Sequence, residues 1–252
     1  MLYTERKELI MKQLSLKFVV RITDLAKEFQ VSLDTIRRDL KNMEQEGLLK
    51  CVRGGACLLD TSAQFSNFKG REIVHKDLKK EAVKKALSFI HNGDVIMMNS
   101  GTTNTLLAQE LVASQFECSV ITNNIAAVSV LSNKTSIRTI VLGGALDPME
   151  CSTYGSQCES ELNTYYPDIC FLSVNALHLQ HGFTDFRLNE INIMQQMIKR
   201  SKQTYAVMDS SKLNTTSKRI AFATDSVPAV IMDSHVSEAE IAQYAQAGIL
   251  IK

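Results

Sequence analysis

The stretch VSLDTIRRDLKNMEQEGLLKCVRGGACL, residues 31–58, holds three features in succession. An apolar stripe at helical spacing carries two adjacent arginines, a Glu-Gly break follows, and a basic Arg-Gly-Gly turn lies between two short apolar pieces. Ser32 suits the N-cap of the helix, because its hydroxyl can accept an orphan backbone N–H. At about 100° per residue, Leu33, Ile36, Leu40 and Met43 cluster on one side. The opposite face holds Asp34, Thr35, Arg38, Lys41 and Asn42, with Arg38 near its centre and Arg37 on the flank beside the apolar stripe. Gly47 is placed to end the helix. Leu48–Val52 and Ala56–Leu59 then read as the strands of a hairpin whose tip is Arg53, Gly54 and Gly55.

Working upstream, Leu9, Ile10, Met11 and Leu14 mark a first helix with Thr4 as its cap. Ile22, Leu25, Ala26 and Phe29 fall at i, i+3, i+4 and i+7 and predict a second, with Thr23 as its cap. Two helices, a turn, a third helix and a basic two-stranded wing make a winged helix-turn-helix over residues 1–57. The third helix of such a module enters the major groove, where arginine reads guanine O6 and N7. Its wing lies along phosphates, which glycines allow to come close. The candidate DNA-binding residues are Ser32, Thr35, Arg37, Arg38, Lys41, Arg53, Gly54 and Gly55. A solvated arginine face, with Asp34 pairing Arg38 at i, i+4, is the alternative that the two arginines alone leave open. The ordered set of caps, break and wing favours DNA.

The bulk numbers bound the rest. A chain of 252 residues with 45% hydrophobic and 22% charged residues has room for one large or two smaller cores, and disorder is excluded. The net charge of +1 names no partner, but residues 1–57 carry 11 Lys and Arg against 8 Asp and Glu, and the remainder 17 against 19. That skew permits nucleic acid at the N-terminal end. The opening MLYTERKELI is too charged for a signal peptide, and no run approaches the roughly 18 apolar residues of a membrane helix. Six scattered cysteines show no metal-type spacing, so free thiols in a reducing cytoplasm are expected.

Residues 58–70, which include the polar run DTSAQFSNFKG (60–70), read as a linker to a second domain over 71–252. Lys69–Lys85, with seven basic and three acidic residues, reads as a solvated amphipathic helix packed on that domain rather than a second DNA contact. Thereafter short apolar runs at 94–99, 118–122, 138–143, 168–174 and 204–209 alternate with helix-like runs at 106–112, 125–131 and 188–202. The alternation predicts an α/β domain with a mainly parallel sheet, whose ligands sit at the C-terminal strand ends. After the first strand comes Asn99-Ser100-Gly101-Thr102-Thr103, a turn able to cradle phosphate at a helix N-terminus. Alone it is equally an ordinary capped turn. Thr122-Asn123, Gly143-Gly144, Asn175 and Lys212 follow the other strands, and together these residues suit a small phosphorylated polyol or sugar.

These motifs resemble the DeoR family of bacterial transcriptional regulators over almost the whole chain. The matching residues are Ser32, Thr35-Ile36-Arg37-Arg38-Asp39-Leu40, Glu46-Gly47 and Lys50 to Ala56 in the first domain. In the second they are Gly101-Thr102-Thr103, Thr122-Asn123, Leu142-Gly143-Gly144, Glu190 and Asp209-Ser210-Ser211-Lys212. Cys51 and Arg53 depart from the family's basic residue and histidine in the wing. Asn99, Ser173, Ala176 and Met194 depart from an aspartate, two glycines and a lysine, which predicts a narrower pocket of altered polarity. The resemblance implies a homo-oligomeric repressor of a carbohydrate operon, bound to double-stranded operator DNA. It further implies a ribose-phosphate isomerase-like sensor fold, a phosphorylated sugar as effector and no cofactor. It assigns phosphate to Lys212 and the Gly101–Thr103 turn, and hydroxyls to Asn99, Asn175 and Glu190.

An isomerase-like enzyme and a DNA-binding protein deaf to any effector are the competing readings. An isomerase needs a carboxylate base at the substrate carbon. Ser173-Val174-Asn175-Ala176 offers none, Glu190 stands alone, and Asp185 has no partner identifiable from sequence. His178 and His181, three residues apart, read as a solvated pair rather than a metal site.

Overall fold

The computed structural model describes residues 1–17, 19–52, 54–57 and 68–252, which divide into two compact units, Met1–Lys76 and Asp77–Lys252. Arg53 and residues 58–67 of the expected linker lie outside the described residues.

The first unit runs α1 (Tyr3–Lys17), β1 (Val19–Arg21), α2 (Ile22–Phe29), α3 (Leu33–Gln45), β2 (Lys50–Val52), β3 (Gly55–Cys57) and α4 (Phe68–Ile73). Ile10, Met11 and Leu14 of α1 share one core with Leu25, Phe29, Ile36, Leu40 and Met43. Each such side chain, fully buried, contributes about 1.5–3 kcal/mol. Ser32 caps α3 as expected, its Oγ accepting from the Thr35 N–H at 3.1 Å. The helix closes in a Schellman turn: Gly47 N–H donates to Glu44 O, Leu48 N–H donates to Met43 O, and Gly47 takes φ +71°.

Several expectations need correction. Thr4 and Thr23 lie inside their helices and cap neither. At α1 the Glu5 carboxylate takes the Leu2 N–H (2.8 Å), and at α2 the first N–H goes to Gly54 O (3.0 Å), because β1 runs straight into the helix. Leu33 is 42% exposed, since it occupies the first turn of α3 ahead of the packed stripe. The wing is a three-stranded antiparallel sheet, ordered β1-β3-β2, rather than a hairpin alone. The first unit also extends past residue 57. Phe68 is buried, α4 packs on α1, and Val74 packs against the first core, so the division falls after Lys76 and not at residue 71.

The second unit is led in by α5 (Lys76–Leu87), whose first residue closes the first unit. Then follow β4 (Val95–Met98), α6 (Thr102–Ala113), β5 (Cys118–Thr122), α7 (Ile125–Leu131), β6 (Ile137–Val141), β7 (Ala145–Asp147), β8 (Ser152–Tyr154) and α8 (Ser156–Leu162). The chain continues through β9 (Ile169–Ser173), β10 (Ala176–His178), β11 (Gly182–Asp185), α9 (Leu188–Arg200), β12 (Gln203–Val207), β13 (Arg219–Phe222), β14 (Ala229–Ile231), α10 (Glu238–Gln246) and β15 (Leu250–Ile251). Seven strands form a parallel sheet in the order β15-β14-β12-β9-β4-β5-β6. Successive strand residues enter different cores: Met97, Ile121 and Leu172 one, Ile96, Met98, Val120 and Phe171 the other. Burial on both faces explains why these strands read as unbroken apolar runs.

From β4 the chain builds outward through β5 and β6, then returns to place β9 on the other side of β4. The β4/β9 junction is therefore the topological switch point, where a crevice opens at the strand C-termini. A small antiparallel sheet, β10-β11-β13, stands just after β9, and the β7–β8 hairpin follows β6. Among the described residues no helix is long and apolar enough to cross a membrane, and no cluster of ligating side chains could hold a metal ion. His178 and His181 flank the β10–β11 turn with ring centroids 4.7 Å apart. The six cysteines are free. Burial pushes the Cys118 thiol up to about 11, and burial pushes Cys158 and Cys170 up to about 12.

Candidate functional site

In the first unit α3 presents Ser32, Arg37, Arg38 and Lys41 on its exposed side, with Thr35 half-buried between them. Asp34 pairs with Arg37 at i, i+3 (2.6 Å), not with Arg38. Arg38 has no ion pair among the described residues. Asp39, beside it in sequence, points inward and binds Arg6 through two bonds of 2.6 and 3.1 Å. That buried pair holds α1 to α3 and leaves the exposed face of α3 basic. Glu44 accepts from the Cys51 N–H at 2.7 Å, which ties the wing to α3. Gly54 is exposed, whereas Gly55 is buried. A Cβ on Gly55 would stand 2.0 Å from Val20 O, so its missing side chain serves the β1–β3 contact and not an approach to phosphate.

In the second unit the switch point gathers Asn99, Ser100, Gly101, Thr102 and Thr103 after β4, Ser173 to Asn175 at the end of β9, and Glu190 in the first turn of α9. Gly101 has φ +132° and caps α6; a Cβ there would meet Ser173 Oγ at 2.5 Å and Arg187 Nη1 at 3.0 Å. This close approach admits only glycine.

The crevice floor is built from Arg187 and Asp185. Nε and Nη2 of Arg187 donate to the two Asp185 oxygens (2.9 and 2.7 Å), Nη1 donates to Ser100 O (2.8 Å), and Nη2 also donates to Ser173 O (2.8 Å). The guanidinium thereby links the ends of β4 and β9. Burial disfavours its charge, but Asp185 more than offsets this and holds its pKa above the usual value. Arg187 braces the site and has its N–H groups engaged, so it is not itself a ligand.

The expected ligands separate into two groups. Asn99 and Thr122 are structural. Asn99 Nδ2 donates to Ser173 O (3.1 Å), and Asn99 Oδ1 accepts from Ser173 N (2.7 Å), which extends the β4–β9 ladder through a side chain. Thr122 donates to Met98 O (2.7 Å) and accepts from Asn124 N (3.0 Å). Gly143 donates its N–H to Glu161 (2.9 Å), and Gly144 abuts Tyr154 O, so both serve α8 and the β7–β8 hairpin rather than the crevice.

The second group retains binding capacity. Thr103 Oγ1, Asn123 Oδ1 and Glu190 Oε2 are buried without hydrogen-bond partners among the described residues. Asn123 Nδ2 donates to Glu190 Oε1 at 2.7 Å, so these two are neighbours. Burial raises the Glu190 pKa, against Arg187, Asn123 and Ser100, which favour its charge. Asn175 is half-buried, its N–H donating to Asp185 (3.1 Å). Lys212 Nζ donates to Val174 O (3.1 Å) and pairs with Asp209 at 3.6 Å, which sets its ammonium beside the end of β9.

Sequence reasoning missed two features. Arg187 and Asp185 need tertiary structure to be paired with Ser100 and Ser173. Lys79 had a visible signal: it precedes Ala82, Val83 and Ala86 by three, four and seven residues, which puts it on the buried face of α5. It is 3% exposed, and its Nζ donates to Thr102 Oγ1 at 3.3 Å.

Comparison with known proteins agrees with this architecture. Residues 6–62 match the DeoR-like helix-turn-helix domain, and residues 74–234 match the DeoR C terminal sensor domain. The chain is 33% identical to the uncharacterized HTH-type transcriptional regulator YulB of Bacillus subtilis, over 96% of this chain and 93% of that protein. It is 35% identical to the HTH-type transcriptional repressor GlcR of the same organism, over 75% and 72%. Among solved structures it is similar to ribose 5-phosphate isomerase A from Methanocaldococcus jannaschii, with TM-score 0.41, 17% identity and coverage of 55% and 54%. The protein is a DNA-binding transcriptional regulator, not an enzyme. It belongs to the DeoR family, with an N-terminal helix-turn-helix and a C-terminal sensor domain.

Proposed function

We propose that this regulator is a repressor whose hold on its operator is controlled by a phosphorylated sugar bound at the β4/β9 crevice. The observation that carries the reading is the set of unpaired buried polar atoms there: Thr103 Oγ1, Asn123 Oδ1 and Glu190 Oε2. Burying such atoms without partners costs about 1–3 kcal/mol each, a loss that ligand hydroxyls would reverse. The N-terminus of α6 and the Lys212 ammonium supply positive charge for a phosphate. Asn175 and Glu190 remain hydroxyl ligands, while Asn99 and Thr122 position them.

On the DNA side, Arg38 and Lys41 reach bases and backbone, Arg37 is steadied by Asp34, and exposed Leu33 offers an apolar contact to a thymine methyl. GlcR, named a repressor, favours the negative sign of regulation. Two copies joined through their sensor units would present two half-sites to a symmetric operator.

The test is a mobility-shift assay of the full chain on fragments from its own upstream region, at fixed salt, with a panel of sugars and their phosphates. Release by a phosphorylated sugar, absent for the parent sugar and weakened in Lys212→Ala, supports the reading. A specific complex that no member of the panel alters would refute effector control.

A further inference from the structure

We propose that Asp34 and Arg37 together read one G·C base pair of the operator, with the Asp34 carboxylate as a determinant of specificity. This assignment rests on the DNA-facing placement of α3 proposed above and is independent of the effector. A recognition helix meets base edges chiefly with its N-terminal residues. The polar atoms left free in the first turns of α3 therefore decide what it can read. Ser32 and Thr35 have their hydroxyls engaged at home: Ser32 Oγ accepts from the Thr35 N–H at 3.1 Å and lies 2.8 Å from Thr35 Oγ1. Asp39 faces inward to Arg6. Asp34 and Arg37 are both exposed, and Arg37 Nη1 donates to Asp34 Oδ1 at 2.6 Å. Among the described residues that bond is the one contact of either charge, so Asp34 Oδ2 and the other N–H groups of the Arg37 fork are left to bind DNA.

An acceptor beside a fork of donors has one good match among the base pairs. In the major groove a G·C pair offers guanine O6 and N7 as acceptors and cytosine N4 as a donor. Two Arg37 N–H groups on a common edge can donate to the guanine, while Asp34 Oδ2 accepts from cytosine N4. An A·T pair places adenine N6, a donor, or thymine O4, an acceptor, in the path of these groups, so one of the two is always opposed by its own kind. The bond from Nη1 to Oδ1 also fixes the guanidinium, so little further order is lost when it meets a base. An exposed ion pair of this kind does little for the fold. The α3 dipole favours an acid in its first turn, yet a carboxylate on the DNA-facing side repels phosphates. Asp34 thus lowers affinity for DNA in general and restores it at the matching pair, which is what selectivity requires.

The experiment is binding-site selection by the full chain from randomised duplexes, for the wild type, Asp34→Ala, Arg37→Lys and Arg38→Ala. Affinities for the selected duplex and for random-sequence DNA are then measured over a range of salt. Both side chains of the pair are exposed, so these variants melt with the wild type. In the wild type one position is restricted to G·C. Asp34→Ala lowers discrimination against A·T there about tenfold, while affinity for random-sequence DNA rises. Arg37→Lys keeps the charge and the salt dependence but loses the fork, and the guanine preference falls with it. An Asp34→Ala variant that tightens on all sequences alike and keeps the preference overturns the proposal, and so does an Arg37→Lys variant that still selects guanine. If Arg38→Ala shifts the preference in either case, the placement of α3 on DNA stands without the pair. If none of the three shifts it, or the wild type enriches no sequence, both fall.

Discussion

Replacing Arg187 with methionine asks whether the crevice floor is as dependent on one side chain as its bonding indicates. The substitution keeps an apolar stem and removes a guanidinium that holds both Asp185 oxygens, Ser100 O and Ser173 O. Asp185 is fully buried and, among the described residues, would keep only the N–H groups of Asn175 and residue 187. Leaving one member of a buried pair uncompensated costs about 3–5 kcal/mol. Ser173 O retains Asn99 Nδ2, so the further loss falls mainly on Ser100 O and pushes the total to the upper end of that range. Against a total stability of about 5–15 kcal/mol, this is severe. For a domain of this size it lowers the melting temperature by roughly 6–20 °C. The chain has no tryptophan, so far-ultraviolet circular dichroism is the practical probe. Asp185→Asn in the same background should recover part of the loss, since it removes the stranded charge, with a coupling of about 0.5–3 kcal/mol between the two sites. A single variant that loses less than about 1 kcal/mol, or a pair whose effects simply add, would refute the account of Arg187 as a brace.

Arg38→Ala should weaken specific DNA binding by about 1–3 kcal/mol, or roughly 5–150-fold, and relax base preference at one position in a binding-site selection. An unchanged preference would assign Arg38 to phosphate alone. Gly55→Ala places a Cβ 2.0 Å from Val20 O, so the wing should fail to close and the first unit should lose protease resistance, while the second unit keeps its melting transition. Because burial raises the Glu190 pKa in the folded chain, its contribution to stability is fully present below the unfolded-state value and is lost as pH rises through the folded one. Ligand hydroxyls favour the carboxylate, so effector affinity should rise with pH across the same interval and become flat in Glu190→Gln, as isothermal titration at several pH values would reveal.

Much of the architecture is legible because its causes are local. Strands covered on both faces are unbroken apolar runs, and the Ser32 cap and the Gly47 turn are chemical signals at the ends of one helix. Where the cause is distant, the chain is silent. The three- and four-residue strands β10, β11 and β13 exist because they pair with one another, and nothing in their composition forces it. Asn99 looks like a ligand in sequence because its neighbours are ligand-like; only the adjacent β9 backbone at Ser173 shows that its amide is already taken. Leu33 fits the helical stripe but falls in the first turn, beyond the reach of the core. Lys79 shows the opposite case, a charge whose spacing marks it as buried although its chemistry suggests a surface.

The order of the strands bears on how the protein is made. Both walls of the crevice come from segments widely separated along the chain, and Glu190 emerges from the ribosome more than a hundred residues after the first unit ends. At about 5–20 residues per second, synthesis leaves an interval of roughly 6–23 s in which the N-terminal unit can be complete while no receptor for a metabolite exists. A message broken within that window would yield a fragment that carries the helix-turn-helix but lacks Glu190 and every later residue of the sensor domain.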